Sequence, residues 1–370
     1  MQGLARDGFT EDQVKTALHA ANVRLSFRYE LLDQYNGFKK HLGNILSASV
    51  ANNALADIKR TAKFTMTEDS TINFLTDRVK PYCRVWIPSG QDWAEFPQGV
   101  FLLTTPPRVA DSVGQITREV ETYDLLQVLV DDKVTDRYTV EAGTNVIAAV
   151  STILTGAGLT QQNLTPKDKA LPTTQDWPPG TTKLSIVNNL LGAINYQSLW
   201  MDENGYAIGQ PYVSPSDRVS EYTYATDNTS VIYPGVQQSL DLWAVPNSWV
   251  LVVSEPDRPV LTSTYTNSNA SSPTSTVNRG RTIVDYREYE EAVDQATLDA
   301  RAERIAYEAS QVYEHVQLET GIMPMHSNAD VFTLQHTTLG ISAKYSETSW
   351  EMELKASGRM KHEIRRVVNI

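Results

Sequence analysis

The clearest pattern in the chain is a strict alternation from Asn22 to Leu31. Val23, Leu25, Phe27, Tyr29 and Leu31 fall on one side, and Arg24, Ser26, Arg28 and Glu30 on the other, which is the period of a half-buried strand. Strand-like stretches follow at 58–66, 83–87, 100–104 and 115–122, separated by Pro88-Ser89-Gly90, Pro106-Pro107 and Asp111-Ser112-Val113-Gly114. Short strands with turn signals between them predict an antiparallel barrel or sandwich over 22–135, closed by an apolar segment at 123–130. Before it, Thr10 and Gln13 match a capping box, and Val14, Ala17 and Leu18 give a small apolar face, so 1–21 is read as a helical segment.

The period then changes. Thr144 is placed to cap a helix carrying Val146, Ile147, Val150, Ile153 and Leu154, and Gly156 to end it. After a polar, Pro-rich stretch at 160–180, a second helix gathers Leu184, Val187, Leu190, Leu191 and Ile194. It leads into a hairpin, 196–201 and 206–208, turned by Asp202-Glu203-Asn204-Gly205. Residues 136–215 thus read as a small α+β domain. Strand patterns return at 221–224, 236–243 and 248–254. The segment 262–282, almost wholly Ser, Thr and Asn, reads as a long exposed loop, because so few apolar residues cannot bury a core. A helix over 295–313 presents Leu298, Ile305, Ala309 and Val312, and closing strands include 349–356, where Trp350, Met352 and Leu354 alternate with Glu351, Glu353 and Lys355. The expected fold class is mainly β with an α+β insertion: two antiparallel β-barrel-like domains, 22–135 and 216–370, flanking the middle domain.

Composition narrows the function. The chain has 370 residues and a formal net charge of −12. That acidity argues against a nucleic-acid grip. The one basic cluster, Arg359, Lys361, His362, Arg365 and Arg366, reads as a solvated strand or tail. No apolar run is long enough for a membrane helix. A single cysteine, Cys83, excludes an intrachain disulfide and fits assembly in a reducing cytoplasm.

Candidate chemistry is sparse. The histidines are His19, His41, His315, His326, His336 and His362, and no two stand at the i, i+4 spacing of a helical metal pair. His362-Glu363 begins like a zinc-protease motif, but Arg366 occupies the place of the second histidine. Met323-Pro324-Met325-His326 is read as a loop packing its methionines. Asp202–Gly205 lacks the later ligands of a calcium loop, and the acidic pairs Asp131-Asp132 and Glu290-Glu291 say little in an acidic chain. No nucleophile elbow or Walker loop is present. Catalytic residues, cofactor-binding residues and metal ligands are therefore expected to be none. Trp200, Trp249 and Trp350 lie in strand patterns and read as core, while Trp93 and Trp177, in polar loops, are the candidates for exposed sugar-stacking platforms. A peptidoglycan hydrolase using carboxylates and a glycan receptor-binding module remain as alternatives.

Two stretches carry a resemblance. Gly99-Val100-Phe101-Leu102-Leu103, then Pro107, a turn, and Arg118-Glu119-Val120-Glu121-Thr122-Tyr123-Asp124-Leu125-Leu126 resemble the first barrel of phage tail hub proteins, with their "G-x-F-x-L" and "Y-D-x-L" strands. The run from Leu184 to Gly205, LSIVNNLLGAINYQSLWMDENG, looks like the family's middle domain. The order of elements over most of 22–370 is also similar. The resemblance, to the hub of contractile baseplates and the tail-associated minor tail protein of siphophages, implies a structural protein of the virion tail tip, assembled in the host bacterial cytoplasm. It implies a homotrimer whose paired barrels form a pseudo-six-fold ring. It further implies contacts with a distal tail protein or tail tube ring, with the tape measure protein and with tip or fibre proteins. DNA would meet it only in transit during genome ejection. The acidic balance suits such a channel, since attraction to phosphate would slow passage.

Overall fold

The computed structural model describes residues 1–110, 112, 114–240, 242–254, 259–289, 292–310 and 314–367. Glu290-Glu291 and Val312 lie outside the described residues, as do parts of the turn signal at 111–114 and of the strand expected at 236–243.

The alternation at the start of the chain becomes the strand Leu25–Leu32, paired antiparallel along its whole length with Arg78–Ile87. Arg78–Ile87 buries Val79, Cys83, Val85 and Ile87 while its intervening residues stay partly open, the signature of a sheet with one covered face. The expected strands at 58–66 and 115–122 are Arg60–Thr67 and Ile116–Asp124, also antiparallel neighbours. Several strands are not legible in the sequence, among them two in the early part of this sheet. Ile45–Asn53 is built largely from small and polar residues, and Asp92–Pro97 contains the supposed loop tryptophan Trp93.

Mainly β architecture with an α+β insertion is what the chain adopts, but the strands do not form two separate closed barrels. Among the described residues, fifteen strands share one sheet with an open path of pairings, running from Gln237–Leu240 through Glu314–Thr320, Met360–Arg366 and Ile341–Glu353 into Ile45–Asn53 and Arg60–Thr67, and on to Phe38–His41. The seam between the early and late strands is an antiparallel ladder in which Ser349, Trp350, Glu351, Met352 and Glu353 face Asn53, Asn52, Ala51, Val50 and Ser49. The reason lies in the 13-residue strand Ile341–Glu353. Its first half pairs with Val331–His336, and beyond an irregularity between Glu347 and Ser349 its second half is free to pair with Ile45–Asn53 along the same edge. One apolar core accordingly runs beneath both groups of strands, joining Phe64, Phe101 and Val120 to Phe332, Trp350 and Ile364.

The middle segment packs its own core. Helix Val146–Gly156 is capped by Asn145, one residue after the expected Thr144, whose side chain accepts from the Ala148 N–H at 3.0 Å. Helix Lys183–Ala193 is capped by Thr182. Their apolar faces meet Leu126 and Leu129 of the short helix Leu126–Asp131, which is the apolar segment expected at 123–130. Hairpin strands Trp200–Met201 and Ala207–Gly209 form as expected, and Gln162–Leu164 adds in parallel.

A third core lies between helix Gln295–Ser310 and a three-stranded sheet of Leu261–Thr266, Ser248–Val253 and Val284–Tyr289. Here the expectation of a wholly exposed 262–282 loop fails. Its first residues are a strand, and Asn267, Ser272, Thr274 and Ser275 are buried. Polar side chains substitute for apolar burial: Asn267 donates to Ser272 Oγ at 2.8 Å, and Asn278 donates to the Ala270 and Ser272 carbonyls at 2.7 and 2.8 Å. The buried Asn267 and the exposed Asn278 both bond groups of the same segment, so it is ordered without an apolar core of its own.

Candidate functional site

The motifs that carry the resemblance prove to be a joint. Gly99 has φ +126°, and a Cβ there would lie 2.8 Å from Arg60 Cδ and 2.9 Å from Phe101 Cζ. Its N–H donates to the Glu203 carbonyl in the Asp202–Gly205 turn at 3.1 Å. That turn is held by Asp202 Oδ1, which accepts from the Asn204 and Tyr206 N–H groups at 2.9 and 2.8 Å, and by the Lys80 ammonium donating to Asn204 at 2.8 Å. Gly205, at φ +85°, lies against Val100 so closely that a Cβ would come within 3.0 Å of it. Asp124, of the "Y-D-x-L" run, accepts from the N–H of Arg60 and of Leu126, both at 2.9 Å, tying two strands to the following helix. Burial pushes its carboxyl up to about 6 despite those bonds.

The second feature is a continuous polar sheet face. Directly paired residues point to the same side, so register alone assembles it. Glu121, Lys63, Ser49 and Glu353 form one row. Thr61, Ala51, Glu351, Lys361 and Glu319 form the next. Asn53, Ser349, Glu363, Gln317 and Gln237 form a third. The opposite face of these strands carries Phe64, Val50, Trp350, Met352, Ile364 and Val316 of the core. The open face crosses the seam without interruption. Glu119, Glu121, Glu319, Glu351, Glu353 and Glu363 outnumber Lys63, Lys355, Arg359 and Lys361 on it. Its ion pairs are solvent-exposed, some loose, as in Lys63–Glu121 at 3.4 Å and Lys361–Glu351 at 3.9 Å, and some close, as in Lys355–Glu353 at 3.0 Å and Arg359–Glu319 at 2.8 Å. The basic cluster noted near the C-terminus is divided by the same pleat: Lys361 faces outward, His362 is buried, and Arg366 turns to Glu314 at 3.0 Å.

The third feature was not legible in the sequence. His326 and His362, which belong to a loop and a strand, meet with ring centroids 4.9 Å apart around Glu347. Each Nδ1 lies at hydrogen-bond distance from one carboxylate oxygen, 2.6 Å for His326 and 2.7 Å for His362. The two Nε2 atoms meet the Tyr224 and Thr320 hydroxyls at 2.6 and 2.8 Å. All three ionisable groups are buried. Burial opposes a charged imidazole at His326, but Glu347 and Asp330 outweigh it and raise the ring to about 9. Burial lowers His362, against the pull of Glu347. Burial also opposes ionisation of Asp330, yet the Met1 ammonium at 2.7 Å and the His326 ring hold it well below the usual carboxylate range. The three donors could in principle hold a divalent ion. Two ligand atoms each about 2.0–2.2 Å from a tetrahedral zinc stand about 3.4 Å apart, whereas the ring nitrogens lie 2.6 and 2.7 Å from their carboxylate oxygens, the separation of a shared proton, and every ring nitrogen has a partner. The geometry is that of a proton-held cluster.

The other candidates are placed apart. His19 contacts the Thr229 carbonyl at 2.8 Å, His336 accepts from the Leu339 N–H at 3.2 Å, and His41 and His315 lie on other strands. Met323 and Met325 pack in the core as expected. Cys83 is buried, and burial pushes its thiol far up. Asp132 pairs with Lys183, and Asp131 accepts from Gln127. Neither proposed sugar platform is free. Trp177 is buried against Tyr138, and Trp93 packs on Trp86 at 5.3 Å with the Arg84 guanidinium over it at 4.9 Å. The exposed indole is Trp243, 77% open, which the sequence reading had not singled out.

No family model matches the sequence, and no curated protein does. Solved structures do match. A tail protein from Neisseria meningitidis MC58 superposes with a TM-score of 0.66 at 11% identity, over 92% of this chain and 97% of that one. The 43 kDa tail protein of prophage MuSo2 from Shewanella oneidensis gives 0.62 at 12% identity, over 91% and 98%. The E. coli c3393 protein, described as a type VI secretion component structurally similar to T4 tail proteins gp27 and gp5, gives 0.51 at 11% identity, over 94% and 77%. The chain has the fold of these phage tail proteins.

Proposed function

We propose that this chain, with the fold of phage tail proteins, is a structural hub of a virion tail tip, three copies of which form a pseudo-six-fold ring around a channel. The observation that carries this reading is the seam between Ser349–Glu353 and Ser49–Asn53, numbered 349–353 and 49–53. It sets two groups of antiparallel strands side by side in one sheet, one from 22–135 and one from 216–370, with a common core beneath and a common polar face above. Three chains would supply six such groups. The sheet ends on Gln237–Leu240, whose outer edge has no strand partner among the described residues, and it branches to the short strand Val109–Ala110. Open edges invite pairing, and a cyclic assembly uses each once.

In this arrangement the polar face lines the lumen. Small residues at its centre, Ser47, Ser49 and Ala51, leave room, and the excess of glutamate offers no grip to phosphate. The ring would join the tail tube or distal tail ring to the tip, and the tape measure protein and DNA would pass through it. The role is structural and not enzymatic. Cryo-electron microscopy of assembled particles tests this: three copies on the tail axis with the 49–53 and 349–353 strands facing the lumen are expected. Another copy number, or a position off the axis, overturns it.

A further inference from the structure

A cavity of about 330 Å³ opens where the early strands, the middle segment, helix Gln295–Ser310 and the late strands converge. Four cations line it: Lys59, Arg218, Arg304 and Arg365. The two carboxylates that also line it are already engaged, Glu308 by Arg304 at 2.9 Å and Glu347 by the two buried histidines. Arg218 is likewise tied to Glu221 and to the Ala329 carbonyl. Lys59 and Arg365 have no carboxylate at ion-pair distance among the described residues. Lys59 is only 6% exposed, and its ammonium, which has three protons to donate, gives one to the Ala56 carbonyl at 2.5 Å. Burial lowers its affinity for a proton; Asp57 and Asp124 act against that from a distance, and the Arg304 charge adds to it. The Tyr212 hydroxyl, a donor, is buried at the cavity without a hydrogen-bond partner, and Asn328 Oδ1, an acceptor that only a proton-bearing oxygen of an occupant can meet, is buried unpartnered beside it.

A buried cation without a counter-charge and a buried hydroxyl without a partner are each costly. One occupant answers both: an oxyanion, which accepts from ammonium, guanidinium and hydroxyl together. We propose that this cavity is a binding site for a small multivalent oxyanion of the phosphate class, held by Lys59 and Arg365 with Tyr212 as a further donor. Its place at the meeting of three cores means that an occupied site braces the segments against one another, and binding to the folded chain alone raises stability by mass action.

The test is thermal unfolding of the full chain in inorganic phosphate against chloride at matched ionic strength and pH. A saturable rise in Tm with phosphate is expected, at least halved in Lys59→Met and in Arg365→Gln. Without phosphate, Lys59→Met should be as stable as the parent or more so, because it removes an uncompensated buried charge. A cation that merely held the structure together would instead destabilise on removal. No phosphate-specific rise, or a rise untouched by both substitutions, overturns the assignment. Should Lys59→Met fail to fold, that too contradicts the argument, and Arg365→Gln still reports whether phosphate binds there.

Discussion

Removing the carboxylate between His326 and His362 should change how stability depends on pH. In the fold, Glu347 and Asp330 raise His326 from 6.5 to about 9, against its burial. A histidine raised in this way contributes stability that is fully present below pH 6.5 and is lost as the pH climbs through 9. At about 1.4 kcal/mol per factor of ten in proton affinity, the gap corresponds to about 3 kcal/mol. His326 is buried, so screening by solvent takes little from it. The groups facing it are Glu347, Asp330, Tyr224 and His362, and of these Glu347 is the one that hydrogen-bonds both rings. Glu347→Gln presents one acceptor and one amide donor where two acceptors stood, so it cannot accept from both Nδ1–H groups. Urea denaturation of the parent chain at a fixed protein concentration should show the folding free energy falling by about 3 kcal/mol between pH 6.5 and 9.5. Glu347→Gln should be less stable at pH 6.5 and fall less steeply across that window, the remaining slope coming from Asp330 on His326 and from the Met1 ammonium, whose proton Asp330 and Glu221 hold.

Histidine NMR gives the same test residue by residue, with His326 titrating near 9 and His362 below its ordinary value. A parent chain whose stability is level from pH 6.5 to 9.5, or a His326 ring that titrates near 6.5, would refute the reasoning: the cluster would then be two neutral imidazoles sharing a carboxylate.

Other consequences follow from the same coordinates. Gly99→Ala combines a positive φ, about 1–2 kcal/mol, with a Cβ forced against Arg60 and Phe101, about 1–3 kcal/mol; denaturation should therefore show a loss of about 2–5 kcal/mol, and a loss under 1 would mean that the joint is loose. Prolonged dialysis against EDTA should leave Tm unchanged, because the His326–Glu347–His362 cluster is held by protons, and a fall of several degrees with zinc in the dialysate would reverse that reading. Carboxyl carbon NMR should find Asp124 titrating near pH 6, its folded form resisting ionisation, so that its charge costs stability above that pH; a midpoint at or below 4 contradicts the buried placement. Trp177→Ala should cost about 3–5 kcal/mol as a large core truncation, whereas Trp243→Ala, at an exposed ring, should cost less than about 1, as differential scanning calorimetry would show.

What could be read from the sequence depended on whether the relevant physics is local. Leu25–Leu32 and Arg60–Thr67 alternate because one face is covered, so period two was visible in each alone. Ile45–Asn53 was invisible for a related reason: it runs down the middle of the sheet with serine and alanine on its open face and only Val50 deeply buried among its apolar residues, so its pattern carries little contrast. The 262–282 segment misled because composition counts apolar residues, whereas this stretch is ordered by side-chain amides bonding its own backbone. Trp177 lies within the polar, Pro-rich stretch 160–180 and so reads as a loop residue, yet a three-residue strand turns it onto Tyr138. His326 and His362 are 36 positions apart, and no spacing rule pairs a loop histidine with a strand histidine; the irregularity near Glu347 that brings a carboxylate between them exists only once the long strand has been divided between two neighbours. The "G-x-F-x-L", "Y-D-x-L" and Asp-x-x-Gly runs were legible for the opposite reason. Gly99, Asp124 and Gly205 meet at one joint, where a backbone carbonyl, a buried carboxylate and two absent Cβ atoms leave little freedom in residue type. Sequence therefore showed how the segments are joined, and pairing across the whole sheet showed that the joint holds two groups of strands under a single polar face.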